Sequence, residues 1–289
     1  MKEILVLSGK GGTGKTTVTA SLAILADNSV LADCDVDAAD LHLLLDPVIE
    51  EKNDFWSGVT AKVDSSKCTG CGTCADLCRF DAIYMDDKAE IDHFSCEGCT
   101  VCATFCPEEA ISLEPNLSGE WYKSKTKYGP MIHASIHVGE ENSGKLVSLV
   151  KREARKKAEE SRAKWIIVDG PPGIGCPVIA SFSGADLVLA ITEPTKSGLH
   201  DLERVIELAR HFKTQVCVSI NKWDLNPELS KEIESYLIQE EIPLVAKIPF
   251  DRSVVDSLVA GKPLLDYNTG LAAQAIKEMW PNIEALVSN

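Results

Sequence analysis

The sequence predicts an α/β chain with a doubly wound, mostly parallel sheet, interrupted by a small inserted α+β domain. A glycine-rich turn follows the apolar run 4–7 and precedes a helical pattern at 16–26. Apolar strands alternate with helical segments from residue 131 onward, a rhythm that builds parallel sheets. Between them, eight cysteines fall within residues 68–106, where the alternation stops.

The glycine-rich turn has the phosphate-binding pattern G-x-x-x-x-G-K-[ST], here from Gly9 to Thr16. Glycines let consecutive backbone N–H groups face one anion, and the start of the helix adds a positive dipole end. Lys15 is expected to reach the β- and γ-phosphates, and the Thr16 hydroxyl to ligate Mg²⁺. The nucleotide-binding residues expected from this pattern are Gly11, Gly12, Thr13, Gly14, Lys15, Thr16 and Thr17.

A second lysine, Lys10, follows the first glycine and gives G-K-G-G-T-G-K-T. This resembles the deviant Walker A motif of the MinD/ParA/nitrogenase-iron-protein superfamily. The resemblance implies a dimeric ATPase that binds Mg-ATP, in which the extra lysine of one subunit touches the nucleotide of the other. Lys10 and Lys15 are then both catalytic. A positive group supplied in trans is worth roughly 10³ to 10⁵ in rate in other nucleotide hydrolases.

Aspartates follow two of the predicted strands. Asp33, Asp35 and Asp37 come directly after strand 29–32, and Asp169 ends strand 165–169. Carboxylates at the carboxyl end of a parallel strand beside a phosphate-binding loop lie where Mg²⁺ and the attacking water belong. By resemblance to the family's switch I, Asp35 positions or activates the water and Asp33 lies nearer the metal. Asp169 has the Walker B position and holds Mg²⁺ through a water. A helix N-cap role fits Asp37 equally well.

Two later segments resemble family elements. Residues 170–175, G-P-P-G-I-G, resemble the switch II of Mrp-type iron–sulfur carriers, in which the N–H of Gly173 faces the γ-phosphate. The motif Asn221-Lys-Trp-Asp follows the strand at 215–220. The resemblance implies that Asn221 hydrogen-bonds adenine and that Pro249 and Phe250 line the base pocket. The N-K-x-D spelling leaves guanine as an alternative.

The clustered cysteines repeat the spacing C-x₂-C-x₂-C-x₃-C twice, which is that of bacterial two-cluster ferredoxins. Three thiolates on one loop hold three corners of a cubane, and the fourth cysteine reaches the other cluster. This crossing predicts two [4Fe–4S] clusters, one on Cys68, Cys71, Cys74 and Cys106 and the other on Cys96, Cys99, Cys102 and Cys78. Zinc is the alternative, since Cys₄ zinc sites also use C-x₂-C hooks.

The cysteine stretch is predicted to be a ferredoxin-like domain at 57–116, inserted into an ATPase domain formed by 1–56 and 117–289. Residues 116–130 read as a linker returning to the ATPase domain. Arg79 stands where this type of ferredoxin usually has proline. Cys176 follows Asp169 at the same offset as a cluster-ligating cysteine in the nitrogenase iron protein. Two roles therefore stay open for Cys176: ligation of a further cluster between subunits, or a packed or redox-sensitive thiol.

Composition limits the partners. The chain has 44 acidic and 29 basic residues and a formal charge of −15, which argues against nucleic-acid binding. No apolar run approaches the ~18 residues of a membrane helix, and no targeting signal precedes the first strand, so we expect no membrane insertion and a cytoplasmic location.

Three functions fit these features. In the first, a homodimer, or a heterodimer with a paralogue, couples its ATPase cycle to electron transfer through the clusters to a redox partner. In the second, the protein delivers clusters or metal to an accepting protein, as Mrp-type carriers do, although the C-terminal C-x-x-C pair of those carriers is absent. In the third, it is a ferredoxin whose nucleotide site is mainly structural.

Overall fold

The computed structural model describes residues 1–140, 143–267 and 269–288. The strands and helices, in chain order, are β1 Lys2–Leu7, α1 Lys15–Leu25, β2 Ser29–Asp33, α2 Leu41–Leu45, β3 Val48–Val63, α3 Thr73–Leu77, β4 Ile83–Met85, β5 Ala89–Ile91, α4 Val101–Thr104, β6 Ile111–Thr126, β7 Gly129–Ile136, α5 Ser143–Ser161, β8 Trp165–Asp169, α6 Cys176–Phe182, β9 Leu187–Thr192, α7 Lys196–His211, β10 Gln215–Asn221, α8 Pro227–Gln239, β11 Leu244–Ile248, α9 Arg252–Val259, α10 Leu264–Tyr267 and α11 Leu271–Ser288. A short 3-10 helix, Trp223–Leu225, joins β10 to α8.

Nine strands form one sheet in the order β11-β10-β9-β1-β8-β2-β7-β6-β3. Every neighbouring pair from β11 to β7 is parallel. The central strands are continuous apolar runs because they are covered on both faces; Ile4, Leu5, Val6 and Leu7 of β1 are fully buried. From β1 the chain passes to β2 on one side and later to β9 on the other. Such a reversal places a ligand crevice at the carboxyl ends of the strands.

The chain divides into two compact units. The first comprises Met1–Asn53, Trp121–Ser135 and Ser143–Asn289, and the second comprises Asp54–Glu120 and Ile136–Asn142. The second unit contains the small antiparallel β4–β5 pair and helices α3 and α4. Its buried apolar residues are few, and four partly buried cysteines pack against them. The prediction that this stretch is a ferredoxin-like insert stays a prediction.

One expectation about residues 116–130 was wrong, and one strand was missed. Residues 116–130 are not a linker, because β6 continues to Thr126 and β7 begins at Gly129. A two-residue connection can only join antiparallel strands, so β6 and β7 form a hairpin. The 16-residue strand β3 was not predicted at all. Its first half carries an acidic run and is mostly exposed, so it lacks the apolar alternation by which strands are detected.

No helix among the described residues has the length and apolarity needed to span a bilayer.

Candidate functional site

The phosphate-binding loop has the backbone that its glycines were expected to allow. Gly12 and Gly14 have φ of +80° and +94°, a region that favours glycine. A Cβ on Gly14 would lie 2.4 Å from Nδ2 of Asn221, and this amide donates to the carbonyl oxygen of Thr13 at 2.7 Å. Glycine at position 14 therefore lets β10 brace the loop from the side.

Lys15 opens α1 and lies in a buried acidic environment. Its Nζ is 2.9 Å from Oδ1 of Asp169 and 3.4 Å from Oδ2 of Asp35. Burial disfavours the charged ammonium, but Asp169, Asp35 and Asp33 outweigh it and raise the pKa of Lys15. The lysine is therefore held as a cation where phosphate is expected.

Asp169 ends β8 and accepts hydrogen bonds from two hydroxyls of α1. Thr16 Oγ1 lies 2.8 Å from Oδ2 of Asp169, and Thr19 Oγ1 lies 2.8 Å from Oδ1. The predicted Mg²⁺ ligands Thr16 and Asp169 are thus neighbours. Thr19 was missed because the phosphate-binding pattern ends at residue 16.

Asp33 is the register partner of Asp169 on the adjacent strand β2, and both residues are fully buried. Its two carboxylate oxygens accept from the backbone N–H of Asp35 at 3.1 Å and of Leu41 at 3.2 Å. Burial, followed by the charge of Asp169, raises the pKa of Asp33 well above its usual value. A divalent cation between such carboxylates would relieve their repulsion.

Asp35 is partly buried, and burial is the main reason why its pKa is raised. Lys15 opposes the shift, whereas Asp169 adds to it. A carboxyl of raised pKa is a better proton acceptor than an ordinary one. The structure thus brings together Lys15, Thr16, Asp33, Asp35 and Asp169, five of the residues selected from the sequence.

Lys10, expected to act across a dimer, contacts its own chain in this structure. Its Nζ lies 2.6 Å from Oε1 of Glu193, 3.3 Å from Ser197 Oγ and 3.4 Å from Thr195 Oγ1. Glu193 also lies 3.5 Å from Nζ of Lys222. Burial works against ionisation of Glu193, but Lys10 and Lys222 prevail and lower its pKa. The one sequence feature that could have identified Glu193 as a site residue is its position directly after a buried strand.

The side chains assigned to base recognition contact protein atoms. Besides holding Thr13, Asn221 accepts the backbone N–H of Lys222 through Oδ1. Asp224 Oδ1 accepts the N–H of Phe250 at 2.7 Å and so fixes the segment after Pro249. Asp224 is the residue that would read guanine in an N-K-x-D motif, and one of its oxygens is already used. Phe250 is half exposed.

The glycine of the switch II segment also contacts its own chain. Gly173 has φ of +86°, and its N–H donates to the carbonyl oxygen of Ser8 at 3.1 Å. For this N–H to face a γ-phosphate, as the resemblance implies, the segment has to release Ser8. Cys176, at the start of α6, is exposed.

The second unit contains an internal repeat of 28 residues. The two sets of four cysteines are offset by 28, and the backbone follows the same offset. Gly70 and Gly98 have positive φ, as do Gly72 and Thr100, and Asp81 and Glu109. The two halves also exchange equivalent hydrogen bonds, from Asp64 N to Ala110 O and from Asp92 N to Ala82 O. Each half thus donates one backbone hydrogen bond to the other.

Two cavities in this unit are lined by cysteines from both halves. The first cavity is lined by Cys68, Cys71, Cys74 and Cys106. The second cavity is lined by Cys78, Cys96, Cys99 and Cys102. All eight cysteines are free thiols.

Among the described residues, no three His, Cys, Asp or Glu side chains converge on a point where one metal ion would sit. A cubane has a different requirement, because each of its four irons takes one thiolate. Its ligands therefore surround a cavity and do not meet at one point.

A ring stack around the buried His133, near Asp33, was not predicted. His133, the register partner of Asp33 on β7, stacks on Tyr122 with ring centroids 4.9 Å apart and on His42 at 6.1 Å. Its Nε2 lies 2.9 Å from Oγ of Ser124. Burial, with a contribution from His42, lowers the pKa of His133 to about 4.

Comparisons with known proteins give the family. The model for the CobQ/CobB/MinD/ParA nucleotide binding domain matches residues 4–264. Two uncharacterized proteins of Methanocaldococcus jannaschii are similar: MJ0578 is 35% identical over 99% of this chain and 97% of its own, and MJ0579 is 27% identical over 93% of each. The septum site-determining protein MinD of Pyrococcus horikoshii, solved with Mg-ADP, shares the fold with a TM-score of 0.60 at 20% identity, covering 99% of this chain and 96% of its own. The chain therefore belongs to the CobQ/CobB/MinD/ParA nucleotide-binding family.

Proposed function

We propose that the protein is a dimeric ATPase that couples ATP binding and hydrolysis to electron transfer through two [4Fe–4S] clusters. One observation carries the proposal: eight cysteines line two cavities in the crossed pattern of a two-cluster ferredoxin, in the same chain as a phosphate-binding loop. Because residues 170–175 resemble the switch II motif of Mrp-type carriers, we also propose those carriers as relatives.

The nucleotide half of the proposal rests on family membership and on the acidic site. Lys15 binds the β- and γ-phosphates, and Thr16, Asp33 and Asp169 provide the Mg²⁺ environment. Asp35 positions the attacking water and accepts its proton. Asn221, Pro249 and Phe250 line the adenine pocket, with Asn221 acting mainly by bracing Thr13. The Mg-ADP of the Pyrococcus horikoshii MinD structure supports an adenine nucleotide.

The cysteine unit fits two clusters. Each cavity offers four thiols. The apolar core of the unit is small, and none of its cysteines forms a disulfide. Domains with so little core need a metal or a covalent staple for stability. Cys68, Cys71, Cys74 and Cys106 would hold one cluster, and Cys96, Cys99, Cys102 and Cys78 the other. A bound [4Fe–4S] cluster accepts and releases one electron.

Dimer formation completes the site. The ammonium of Lys10 leaves Glu193 and supplies positive charge to the nucleotide of the partner subunit, as the family resemblance implies. The similarity to both MJ0578 and MJ0579 supports the existence of paralogues, so either a homodimer or a heterodimer fits.

Chain connectivity supports a route for the proposed coupling. Asp33 accepts the N–H of Leu41, the first residue of α2. After α2 the chain enters β3 within three residues, and β3 leads from the first unit into the second. A change at the Mg²⁺ environment therefore acts on the segment that leads directly to Cys68. Order–disorder changes at such switches turn phosphate hydrolysis into larger motions.

The test uses the anaerobically purified protein with a reduced low-potential donor. Electron delivery from the clusters, or their reduction potential, is measured with and without Mg-ATP. A nucleotide-dependent change supports coupling. If Mg-ATP instead releases iron to an apoprotein acceptor, the protein is a carrier, and if nucleotide changes neither quantity the site is structural.

A further inference from the structure

The second unit, called the cysteine unit here, has two halves: the first carries Cys68 to Cys78 and the second carries Cys96 to Cys106. The halves have equivalent backbones but different surface side chains. Phe80 in the first half corresponds to Glu108 in the second, at the offset of 28 residues. Phe94 in the second half corresponds to Ser66 in the first. Phe80 lies in the wall of the second cavity, and Phe94 precedes Cys96, one of the cysteines of that cavity, by two residues.

The second cavity has an aromatic side chain, Phe80, among its lining residues, whereas the first has none. Leu77 and Phe80 line the second cavity together with its four cysteines, and they are 40% and 43% exposed. Phe94 lies two residues before Cys96 and is 85% exposed. The first cavity has Glu108 and Thr69 in its wall and Met85 as the one exposed large apolar side chain among its lining residues. Phe105, the counterpart of Leu77, precedes its Cys106 and is 61% exposed. Exposed apolar side chains grouped on one surface mark protein interfaces.

The charge of the cysteine unit indicates which kind of partner would bind this surface. Residues 54–120 contain thirteen acidic and four basic residues, a net charge of −9 out of −15 for the whole chain. Asp76 and Asp81 flank Leu77 and Phe80, with Arg79 as the single basic residue between them. Asp92 and Glu97 flank Phe94. An apolar centre within an acidic field is complementary to an apolar centre ringed by lysine and arginine.

We propose that Leu77, Phe80 and Phe94 form a docking surface for a basic redox protein, and that the partner exchanges electrons at the second cavity. The inference deepens the proposed function and rests on it. It makes the halves unequal, because the partner then exchanges electrons at the second cavity and not at the first.

The probe is ferric mitochondrial cytochrome c, a basic haem protein with lysines around its exposed haem edge. Hydrogen exchange of the oxidised full-length protein is measured with and without the probe, so that no electron is transferred. We expect protection at residues 77–80 and 94–99. Equal or greater protection at the equivalent residues 105–108 and 66–71 would overturn the proposal.

The internal repeat supplies the matched variant. The double substitution Phe80→Glu and Phe94→Ser installs the residues of the opposite half, and we expect the Kd for cytochrome c to rise about tenfold, as loss of aromatic anchors does. The variant is more acidic, so binding by charge alone would tighten. The control Tyr84→Ser, at a 60% exposed position outside both cavities, leaves the Kd within twofold.

The outcomes separate the two proposals. An unchanged or lower Kd in the double variant overturns the docking surface, even if the protein is brown and rich in iron. A colourless protein that still shows protection at 77–80 and 94–99 leaves the surface standing and removes the cluster-based function.

Discussion

The ammonium of Lys10 lies 2.6 Å from the carboxylate of Glu193 in the same chain. A lysine that serves the partner's nucleotide has to break this pair first. The pair is only partly buried, with 35% of the Lys10 side chain and 17% of the Glu193 side chain exposed, so its net stabilisation is about 1 kcal/mol or less. Glu193 therefore restrains the lysine without preventing its release.

Lys10→Ala is expected to bind ATP normally and to lose ATPase activity by roughly 10³-fold, because the trans charge is removed. Glu193→Gln is expected to favour ATP-dependent dimers by several-fold, since Lys10 no longer has to leave a carboxylate. Turnover and sedimentation with Mg-ATP measure the two effects. Lys196→Ala, an exposed lysine three residues from Glu193, is the control. Undiminished turnover of Lys10→Ala would refute the trans role.

Asp35→Asn is expected to retain ATP binding and to slow hydrolysis by about 10² to 10⁴-fold, the usual contribution of a general base. Single-turnover hydrolysis measures the chemical step. Asp37→Asn is the matched control, because Asp37 is exposed in the same loop. Equal rates in the two variants would show that Asp35 does not position the water.

His133 predicts a loss of stability in acid. The pKa of His133 is about 4 in the folded protein, against an ordinary value near 6.5. Between these two pH values the imidazole is protonated in the unfolded chain and neutral in the folded protein. Stability therefore falls as the pH drops from about 6.5 to 4, by up to about 3 kcal/mol. His42 and Tyr122 are the titratable side chains stacked against it.

The variant His133→Gln removes this ionisation and can still hydrogen-bond Ser124. Denaturant unfolding at several pH values should show a shallower acid decline than in the wild type, with parallel curves above pH 7. Identical slopes between pH 6.5 and 4 would mean that His133 does not titrate as the stack requires.

The crossed ligand pattern predicts the effect of single cysteine changes. Cys78→Ser should disturb the same cluster as Cys96→Ser, although seventeen residues separate them. Cys106→Ser should disturb the cluster affected by Cys68→Ser. Electron paramagnetic resonance of the reduced protein distinguishes the two clusters. If Cys78→Ser instead matches Cys68→Ser, each half binds its own cluster.

The place in the fold of the residues assigned to the nucleotide site could be predicted because short-range patterns specify it. The loop from Gly9 to Thr16 is contiguous, and Asp33 and Asp169 each end an apolar strand. Parallel strands bring such ends to one edge of a sheet, so the position of these carboxylates follows from topology. The family assignment from Lys10 agrees with the match over residues 4–264.

The features that sequence reasoning missed depend on long-range contacts. Glu193 becomes the partner of Lys10 only because β9 lies beside β1. His133 meets Tyr122 across the β6–β7 hairpin, and Tyr122 lies in the stretch 116–130 that was read as a linker. No local pattern encodes these pairings.

The iron and acid-labile sulfide content of the anaerobically purified protein tests the central claim most directly. The account predicts a brown protein with about eight iron and eight sulfide per chain, as two [4Fe–4S] clusters require. A colourless protein that carries zinc, or no metal, on its eight clustered thiols would contradict it.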